Sequence, residues 1–303
     1  MAEKVVRNPN PDEIKKLSQK DSTVAKSKNK QTTKTNVVNI NPETPLKPTQ
    51  SVFEPEPVVF KLPSNNLVIP DGHIHVRRLT TVEEGYFQET VATMMKQNQL
   101  NEIFFLDSIN KALDSCIRSN ISIYDLLLID KAPLFMFVLG LTYGEIQEFD
   151  LICEECKKEF KHKVDLTKLN VKYVPDNFEY PKPYVMQKFA IPDVKLYLIY
   201  PTIGDESVWT GPGNPIAQFM TMVENVDGIL PSGEPITEEY YEDLIKNLHA
   251  DDKDEMKKFI ADLSEYGNDI KVKTKVCKNA NCPMHNKMQE VTIPIENIFL
   301  KMF

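Results

Sequence analysis

The sequence contains no apolar run long enough to cross a membrane and no sign of a secretory segment. Its longest apolar stretch, residues 132–141, is interrupted by Pro133 and Gly140. A membrane helix needs roughly 20 apolar residues, so this stretch is too short to span a bilayer and is expected in a protein core. Residues 1–10 are polar, and no apolar h-region follows them. These absences predict a protein that neither contacts a membrane nor enters the secretory route.

Sequence patterns that mark common active sites are also missing. The sequence has neither the H-E-x-x-H pattern of zinc proteases nor the G-x-S-x-G turn of serine hydrolases. Its glycine-rich segment, residues 211–215, lacks the lysine and the strand–helix arrangement of a phosphate-binding loop. His73 and His75 offer two potential metal ligands, but no third ligand lies nearby in the sequence. We therefore expect no enzymatic activity.

Charge is distributed unevenly along the chain. The net charge is −8, yet residues 1–50 carry ten basic and five acidic side chains, a local charge of +5 that leaves −13 for residues 51–303. An acidic body repels phosphate backbones, so nucleic-acid binding by the folded part is not expected. Residues 1–50 are also rich in Lys, Asn, Thr, Ser and Pro. This composition predicts a basic arm that is disordered alone or becomes ordered on an acidic partner.

Five cysteines are present, an odd number that favours reduced thiols in the absence of a secretion signal. Cys116 lies on one helical stripe with Leu106, Ile109 and Leu113, so we expect it to be a buried and unreactive thiol. The other four cysteines form two pairs, Cys153 with Cys156 and Cys277 with Cys282. Reduced cysteine pairs at such spacings bind metal more often than they form disulfides.

Each cysteine pair is flanked by segments in which apolar and polar residues alternate, the pattern of a β-hairpin. Hairpin tips are where zinc ribbons present their ligands, and zinc prefers four tetrahedral ligands. We therefore predict one structural Zn²⁺ held by Cys153, Cys156, Cys277 and Cys282, with His285 as an alternative to one of the last two. Four thiolates leave no open position for catalysis. Four unligated thiols, or a redox disulfide between the first two cysteines, remain open as alternatives.

The order of patterns predicts an α+β fold: a mostly helical body with a small antiparallel zinc-ribbon-like sheet closed by the two cysteine hairpins. Capping patterns at Thr80 or Thr81 and at Ser122 start helices, and Pro133 is expected in the first turn of another. Alternation over residues 194–200 predicts one more strand. The predicted parts are the basic arm 1–50, a Pro-rich extended linker 51–66, a helical subdomain 67–145, the ribbon-like sheet 146–170 with 268–303, and a mostly helical insertion 171–267.

Residues 298–303 are apolar except for Lys301, and we expect them to contact either the core or a neighbouring protein. An alternative function for the chain is that of a zinc-ribbon accessory factor in a nucleic-acid machine such as the transcription apparatus. That function requires a basic ribbon face. The lysines that could form it are Lys157, Lys158, Lys161, Lys163, Lys271, Lys273 and Lys275.

Several segments taken together resemble the T4-type phage baseplate proteins, hub subunits and hub assembly factors of contractile tails. The segments are Leu79-Thr-Thr-Val-Glu-Glu, Phe104-Phe-Leu-Asp, Leu126-Leu-Leu-Ile-Asp-Lys, Leu141-Thr-Tyr-Gly-Glu, Cys153-Glu-Glu-Cys156 and Val164-Asp-Leu. The resemblance covers about residues 65–170 and the second cysteine hairpin. It implies a non-enzymatic protein of the virion tail baseplate, made in the host cytoplasm. Its partners would be other baseplate and tail proteins in a hetero-oligomer, contacted through the basic arm and the apolar C-terminal residues.

Overall fold

The computed structural model describes residues 54–97, 102–186, 191, 193–210, 213–267 and 271–293. The predicted basic arm, residues 1–50, and the apolar residues 298–303 lie outside these ranges. All described residues belong to one compact unit. Among them, no helix combines the length and the apolar content that a membrane span requires.

Helices and short antiparallel strands alternate along the described chain, which agrees with the predicted α+β class. The helices are α1 (Thr81–Gln97), α2 (Glu102–Cys116), α3 (Leu128–Tyr143), α4 (Glu206–Trp209), α5 (Pro215–Met220), α6 (Tyr241–Lys246) and α7 (Ala250–Ser264). The strands are β1 (Val58–Lys61), β2 (His73–Val76), β3 (Ile146–Ile152), β4 (Glu159–Asp165), β5 (Lys182–Val185), β6 (Lys195–Leu198), β7 (Val223–Asp227), β8 (Lys271–Thr274) and β9 (Gln289–Thr292). Single 3₁₀ turns occur at Asn65–Leu67, Ile123–Asp125, Leu166–Lys168, Ile203–Asp205 and Glu238–Tyr240.

The described strands form four separate antiparallel sheets: β1–β2, β3–β4, β5–β6–β7 and β8–β9. The two cysteine hairpins are therefore two-stranded units of their own, and the single closed ribbon sheet expected from the sequence is not seen among the described residues. One bridge, between Asn170 and Lys271, links the chain after the first hairpin to β8. The hairpins thus meet through side chains and loops more than through a shared strand ladder.

Two of the predicted helix starts are confirmed by their capping contacts. The Thr80 N–H donates to Glu83 Oε2 at 2.8 Å, immediately before α1. Ser122 caps the 3₁₀ turn Ile123–Asp125, and the Asp125 carboxylate in turn accepts a hydrogen bond from the Ser122 N–H. Both contacts satisfy amide groups that the first turn of a helix leaves without a partner.

Pro133 does not lie in the first turn of its helix, contrary to the prediction. α3 begins at Leu128, so Pro133 lies inside it. A proline has no N–H, so it cannot donate to the carbonyl of Ile129 one turn earlier. Gly267 packs against that carbonyl, since a Cβ added at Gly267 would lie 2.0 Å from the Ile129 oxygen. The glycine after α7 therefore fits the irregular turn that the proline creates.

The predicted linker, residues 51–66, is structured where the chain is described. β1 pairs with β2 from Val58↔Val76 to Lys61↔His73, and Phe60 and Leu62 are buried. The physical reason is the spacing of Phe60 and Leu62, which lets two apolar side chains reach the core although prolines flank them. One strand and these two buried side chains therefore lie within the segment that is predicted to be an extended linker.

Two buried clusters make up the core. The larger one joins α1, α2 and α3 to β1, β2 and both cysteine hairpins, with Phe87, Leu113 and Phe135 among its members. It also contains Leu134, Met136, Val138 and Leu139, so the apolar stretch 132–141 is core as predicted. The second cluster packs α6 and α7 on the β5–β6–β7 sheet.

The segment 171–267 contains more β-structure than its predicted description as a mostly helical insertion. Strand β6 falls within the predicted residues 194–200, and β5 and β7 pair with its two edges. β5 and β7 are four and five residues long and only partly buried. Such short strands carry little alternation, so their pairing with β6 is what defines them.

Candidate metal centre

The first cysteine loop is a tight turn at the tip of the β3–β4 hairpin, whose last strand pair is Ile152↔Glu159. The Cys153 N–H donates to the Lys158 carbonyl at 3.0 Å, and the Lys157 N–H donates to the Cys153 carbonyl at 3.0 Å. Lys157 has a φ of 55°, which closes the turn in the left-handed region. Backbone amides of Cys156 and Glu155 donate to the Cys153 thiol and lower its pKa to about 7. This turn aims Cys153 and Cys156 at one point.

The second cysteine loop is wider and is organised by asparagine. The Cys282 N–H donates to the Asn279 carbonyl at 3.0 Å, and the Asn281 N–H donates to Asn279 Oδ1 at 3.2 Å. The Asn286 N–H donates to the Cys277 carbonyl at 3.2 Å and closes the loop. These contacts show how a four-residue gap can still bring Cys277 and Cys282 together.

The four cysteine side chains converge on one point between the hairpins. Their Sγ atoms all lie within 4.8 Å of one another. The Sγ atoms of Cys153 and Cys282 are 3.9 Å apart, and those of Cys156 and Cys277 are 3.8 Å apart. Zn–S bonds near 2.3 Å in a tetrahedron place sulfur atoms about 3.8 Å apart. The spacing therefore matches a tetrahedral four-thiolate zinc site and is far too long for a disulfide bond.

The environment of the sulfur atoms favours a cation. Cys153, Cys277 and Cys282 are buried, and Cys156 is partly buried. Burial raises the pKa of the Cys277 thiol to about 12, whereas the amide donors lower that of Cys153. Four neighbouring thiols cannot all ionise without a positive charge between them, because each thiolate disfavours the next. A divalent ion supplies that charge, and metal binding releases the thiol protons.

His285 lies outside the cluster of sulfur atoms. Its Nε2 is 2.9 Å from Asn286 Nδ2, and its buried Nδ1 has no partner within the described part of the chain. The only group of three or more potential metal ligands found among the described residues is the set of four cysteines, so His73 and His75 do not form one either. Among the described residues, the structure thus brings together the sulfur atoms of the four cysteines and leaves His285 outside that group.

Both hairpins are fixed to the protein body below the cysteines. Phe149, Leu151 and Val164 of the first hairpin are buried in the larger core cluster, together with Val272 and Val291 of the second. The hairpins also contact each other directly, because His162 Nε2 lies 2.6 Å from the Lys275 carbonyl oxygen. The site therefore joins segments 121 and 129 residues apart through a body that already holds them close.

Gln289 is a residue at the site that the sequence analysis missed. It is buried at the start of β9, and its Oε1 accepts a long hydrogen bond of 3.4 Å from the Glu154 N–H. This contact connects the first cysteine loop to the second hairpin without a metal. A polar residue at a strand start carries no local signal of such a role, because its partner is 135 residues away.

The lysines of the first hairpin do not form a basic stripe. On the β3–β4 ladder, Glu148 stands opposite Lys163, and Asp150 stands opposite Lys161. Lys161 also lies 3.5 Å from Glu148 in an exposed ion pair. Cross-strand carboxylates thus balance the charge of two of the seven lysines on which a nucleic-acid-binding face would depend.

Cys116 is separate from the metal centre and matches its prediction. It is buried, and burial raises its thiol pKa to about 12. Next to it, Arg77 binds Glu83 at 2.8 Å and Glu54 at 2.7 Å, and Arg118 also pairs with Glu54. This buried ion cluster was not predicted, because its members come from four separate segments.

Comparison with known proteins places the chain in a family. A sequence model of the family described as T4 bacteriophage base plate protein matches residues 57–300. That range contains both cysteine hairpins and most of the described fold. No curated protein and no solved structure matches the chain significantly. Since the family match covers most of the sequence, the chain belongs to the T4-type bacteriophage baseplate proteins.

Proposed function

We propose that this chain is a non-enzymatic structural or assembly component of the hub of a contractile-tail baseplate, and that one structural Zn²⁺ on Cys153, Cys156, Cys277 and Cys282 holds its two hairpins together. Family membership supports the baseplate role. The convergence of four sulfur atoms within 4.8 Å is the observation that supports the metal. The hub position is suggested by the resemblance of residues 65–170 to hub subunits and hub assembly factors.

A structural role suits this donor set better than a catalytic one. Four thiolates complete the tetrahedral shell of zinc, and catalytic zinc keeps one position for water or substrate. Joining residues 121 apart by a cross-link stabilises a fold by about 5 kcal/mol in the chain-entropy model. Structural zinc can contribute roughly 10–16 kcal/mol. An ion at this site can therefore offset the cost of ordering both loops.

The partners are other baseplate and tail proteins, and we propose the basic segment 1–50 as one contact. Its charge of +5 stands against −13 on the rest of the chain, so it suits an acidic surface on a neighbour. A contact of this kind weakens as salt rises, because ions screen exposed charges. Removal of residues 1–50 should therefore reduce co-purification with tail proteins at low salt more than at high salt.

The baseplate role is tested by deleting the gene from a phage that carries it and examining the particles by electron microscopy. We expect tails without complete baseplates and a loss of infectivity, both restored by the full chain supplied from a plasmid. Normal baseplates in the deletion strain would overturn the proposal. Mass spectrometry of purified particles then separates a virion subunit, which stays in the particle, from an assembly factor, which does not. Salt-dependent retention on DNA would instead favour the nucleic-acid accessory function.

A further inference from the structure

The backbone amides of the first cysteine turn all have acceptors, and one of these acceptors comes from outside the turn. The N–H groups of residues 155 and 156 donate to the Cys153 thiol, and that of Lys157 donates to the Cys153 carbonyl. The amide of Glu154 donates instead to Gln289 Oε1, at 3.4 Å. Gln289 thus supplies the acceptor that joins this turn to the second hairpin.

The side chain of Gln289 is held at the end of the β8–β9 ladder. Its backbone pairs with Thr274 in the last strand pair before the second cysteine loop, and only 4% of the residue is exposed. A backbone N–H can only donate, so the contact with Glu154 places the amide oxygen on that side. Nε2 is then a buried donor without a partner among the described residues. Such a donor costs free energy, so an apolar side chain of the same size would stabilise the fold better.

Two other hydrogen-bond contacts between the hairpins lie at the surface. Lys278 Nζ donates to the Lys161 carbonyl at 3.2 Å, and His162 Nε2 lies 2.6 Å from the Lys275 carbonyl oxygen. Water competes for exposed hydrogen bonds of this kind and weakens their hold on the hairpins. Of these three contacts, the one made by Gln289 is the least exposed, so it fixes the hairpins most firmly.

We propose that Gln289 is a positioning residue for the metal, which sets the distance between the two cysteine loops and makes the site selective for an ion of the size of Zn²⁺. This inference rests on the proposed function and adds size selectivity to it. Glu154 directly follows Cys153, so the amide that Gln289 holds and the Cys153 sulfur belong to one tight turn. The Sγ atoms of Cys153 and Cys282, one from each loop, lie 3.9 Å apart, close to the roughly 3.8 Å that Zn–S bonds require. Loss of the Gln289 contact frees this distance to increase.

A larger ion distinguishes an effect on this spacing from a general loss of stability. Cd²⁺ has the same charge as Zn²⁺, is softer and binds well to thiolates, but it needs the sulfur atoms farther apart. Looser loops should therefore weaken the binding of Zn²⁺ more than that of Cd²⁺. A general loss of fold stability would instead weaken the binding of both ions alike.

Competition with a chelating dye measures the affinity of the full chain for each ion. Gln289→Met keeps the length of the side chain and removes its amide, whereas Gln289→Asn keeps the amide but is too short to hold the Glu154 N–H. In both variants we expect the affinity for Zn²⁺ to fall about ten- to a hundredfold, the usual effect of losing a contact that orients a metal ligand. The ratio of Cd²⁺ to Zn²⁺ affinity should rise. The visible spectrum of bound Co²⁺ should also shift, because it depends on the geometry of the ligands.

Gln147→Met is the matched control, because Gln147 lies on the same hairpin but away from the cysteines. It pairs with Val164 near the other end of the β3–β4 ladder, and its Nε2 donates to the carbonyls of Tyr143 and Gly144. This variant should bind both ions as the unmodified chain does, and a loss equal to that of the Gln289 variants would overturn the inference.

The remaining outcomes separate the inference from the proposed function. Unchanged Zn²⁺ affinity in either Gln289 variant, or an equal loss of affinity for both ions, would overturn the inference while the metal site stands. An unmodified chain that binds neither ion would overturn the proposed zinc site and the inference with it.

Discussion

At the scale of single residues, the five cysteines separate into a cluster of four and one core residue. We predict that Cys153→Ser lowers bound zinc from about one ion per chain to a small fraction of that, because one of four ligands and its amide contacts change. The variant should also be less soluble or more sensitive to protease, since net domain stability is only about 5–15 kcal/mol. Plasma mass spectrometry of the metal content and limited trypsin digestion measure both effects.

Cys116→Ala is the matched control for this experiment. It removes a buried thiol that lies outside the cluster, so it should retain full zinc and lose about 1 kcal/mol of stability. A well-folded Cys153→Ser protein with full zinc would contradict the four-thiolate site.

Asp130 is a second residue whose chemistry can be tested alone. It is fully buried at the start of α3, where its Oδ1 accepts from the Ser64 N–H at 2.7 Å. Burial raises its pKa to about 7, above the value in an unfolded chain. The folded state then binds a proton that the unfolded state has released. The stability from this group is therefore full at low pH and is lost as pH rises through about 7.

We expect this group to make the free energy of unfolding fall between pH 6 and pH 8, by about 1 kcal/mol according to the value of one pKa unit. Asp130→Asn keeps the size of the side chain and a hydrogen-bond acceptor but cannot titrate. The free energy of unfolding of this variant should therefore fall by about 1 kcal/mol less than that of the unmodified protein between pH 6 and pH 8. Urea titrations at both pH values measure it, and working above pH 6 avoids protonating zinc-bound thiolates. Equal pH dependence in the two proteins would show that the carboxyl does not titrate as assigned.

At the scale of elements, a close backbone approach joins α3 to the loop after α7. Gly267 has a φ of 66°, and an added Cβ would lie 2.0 Å from the Ile129 oxygen. We predict that Gly267→Ala destabilises the protein by roughly 3 kcal/mol or more, since it combines a left-handed conformation with a steric clash. Thermal and urea unfolding measure the loss.

A substitution at Gly233 measures the cost of the backbone conformation apart from that of the steric clash. Its φ is 89°, and no atom lies within 4 Å of an added Cβ. Gly233→Ala should therefore cost about 1–2 kcal/mol, from backbone strain alone. Equal losses at both glycines would mean that the contact with Ile129 contributes nothing.

Elements that carry local signals were predictable from the sequence, and those defined by distant partners were not. Thr80 and Ser122 mark their helix starts through capping residues nearby, and each cysteine pair marks a hairpin tip. Strands β5 and β7, in contrast, exist because β6 lies between them. The same holds for the side chains of Lys131 and Glu206, which pair at 2.7 Å although 75 residues separate them. No local pattern encodes a contact of that range.

At the scale of the whole molecule, the candidate metal site depends on the fold more than the fold depends on the site. Both hairpins contribute buried residues to the larger core cluster, so the body holds their bases together without an ion. Their tips depend more on the sulfur cluster, because Cys153, Cys277 and Cys282 form a small buried cluster of their own. The second core cluster, around α7 and the three-stranded sheet, contains no cysteine.

Metal removal should therefore act locally before it acts globally. We predict that a chelator first exposes residues 153–158 and 277–288 to protease and hydrogen exchange, while the helical circular dichroism signal changes little. The β5–β6–β7 sheet and α7 should keep their protection, because their packing does not pass through the hairpin tips. Added Zn²⁺ should restore protection of both loops together, since ligands from both are needed to complete the shell. Simultaneous loss of protection in the loops and in α7 would mean instead that the ion stabilises the entire unit as one cooperative fold.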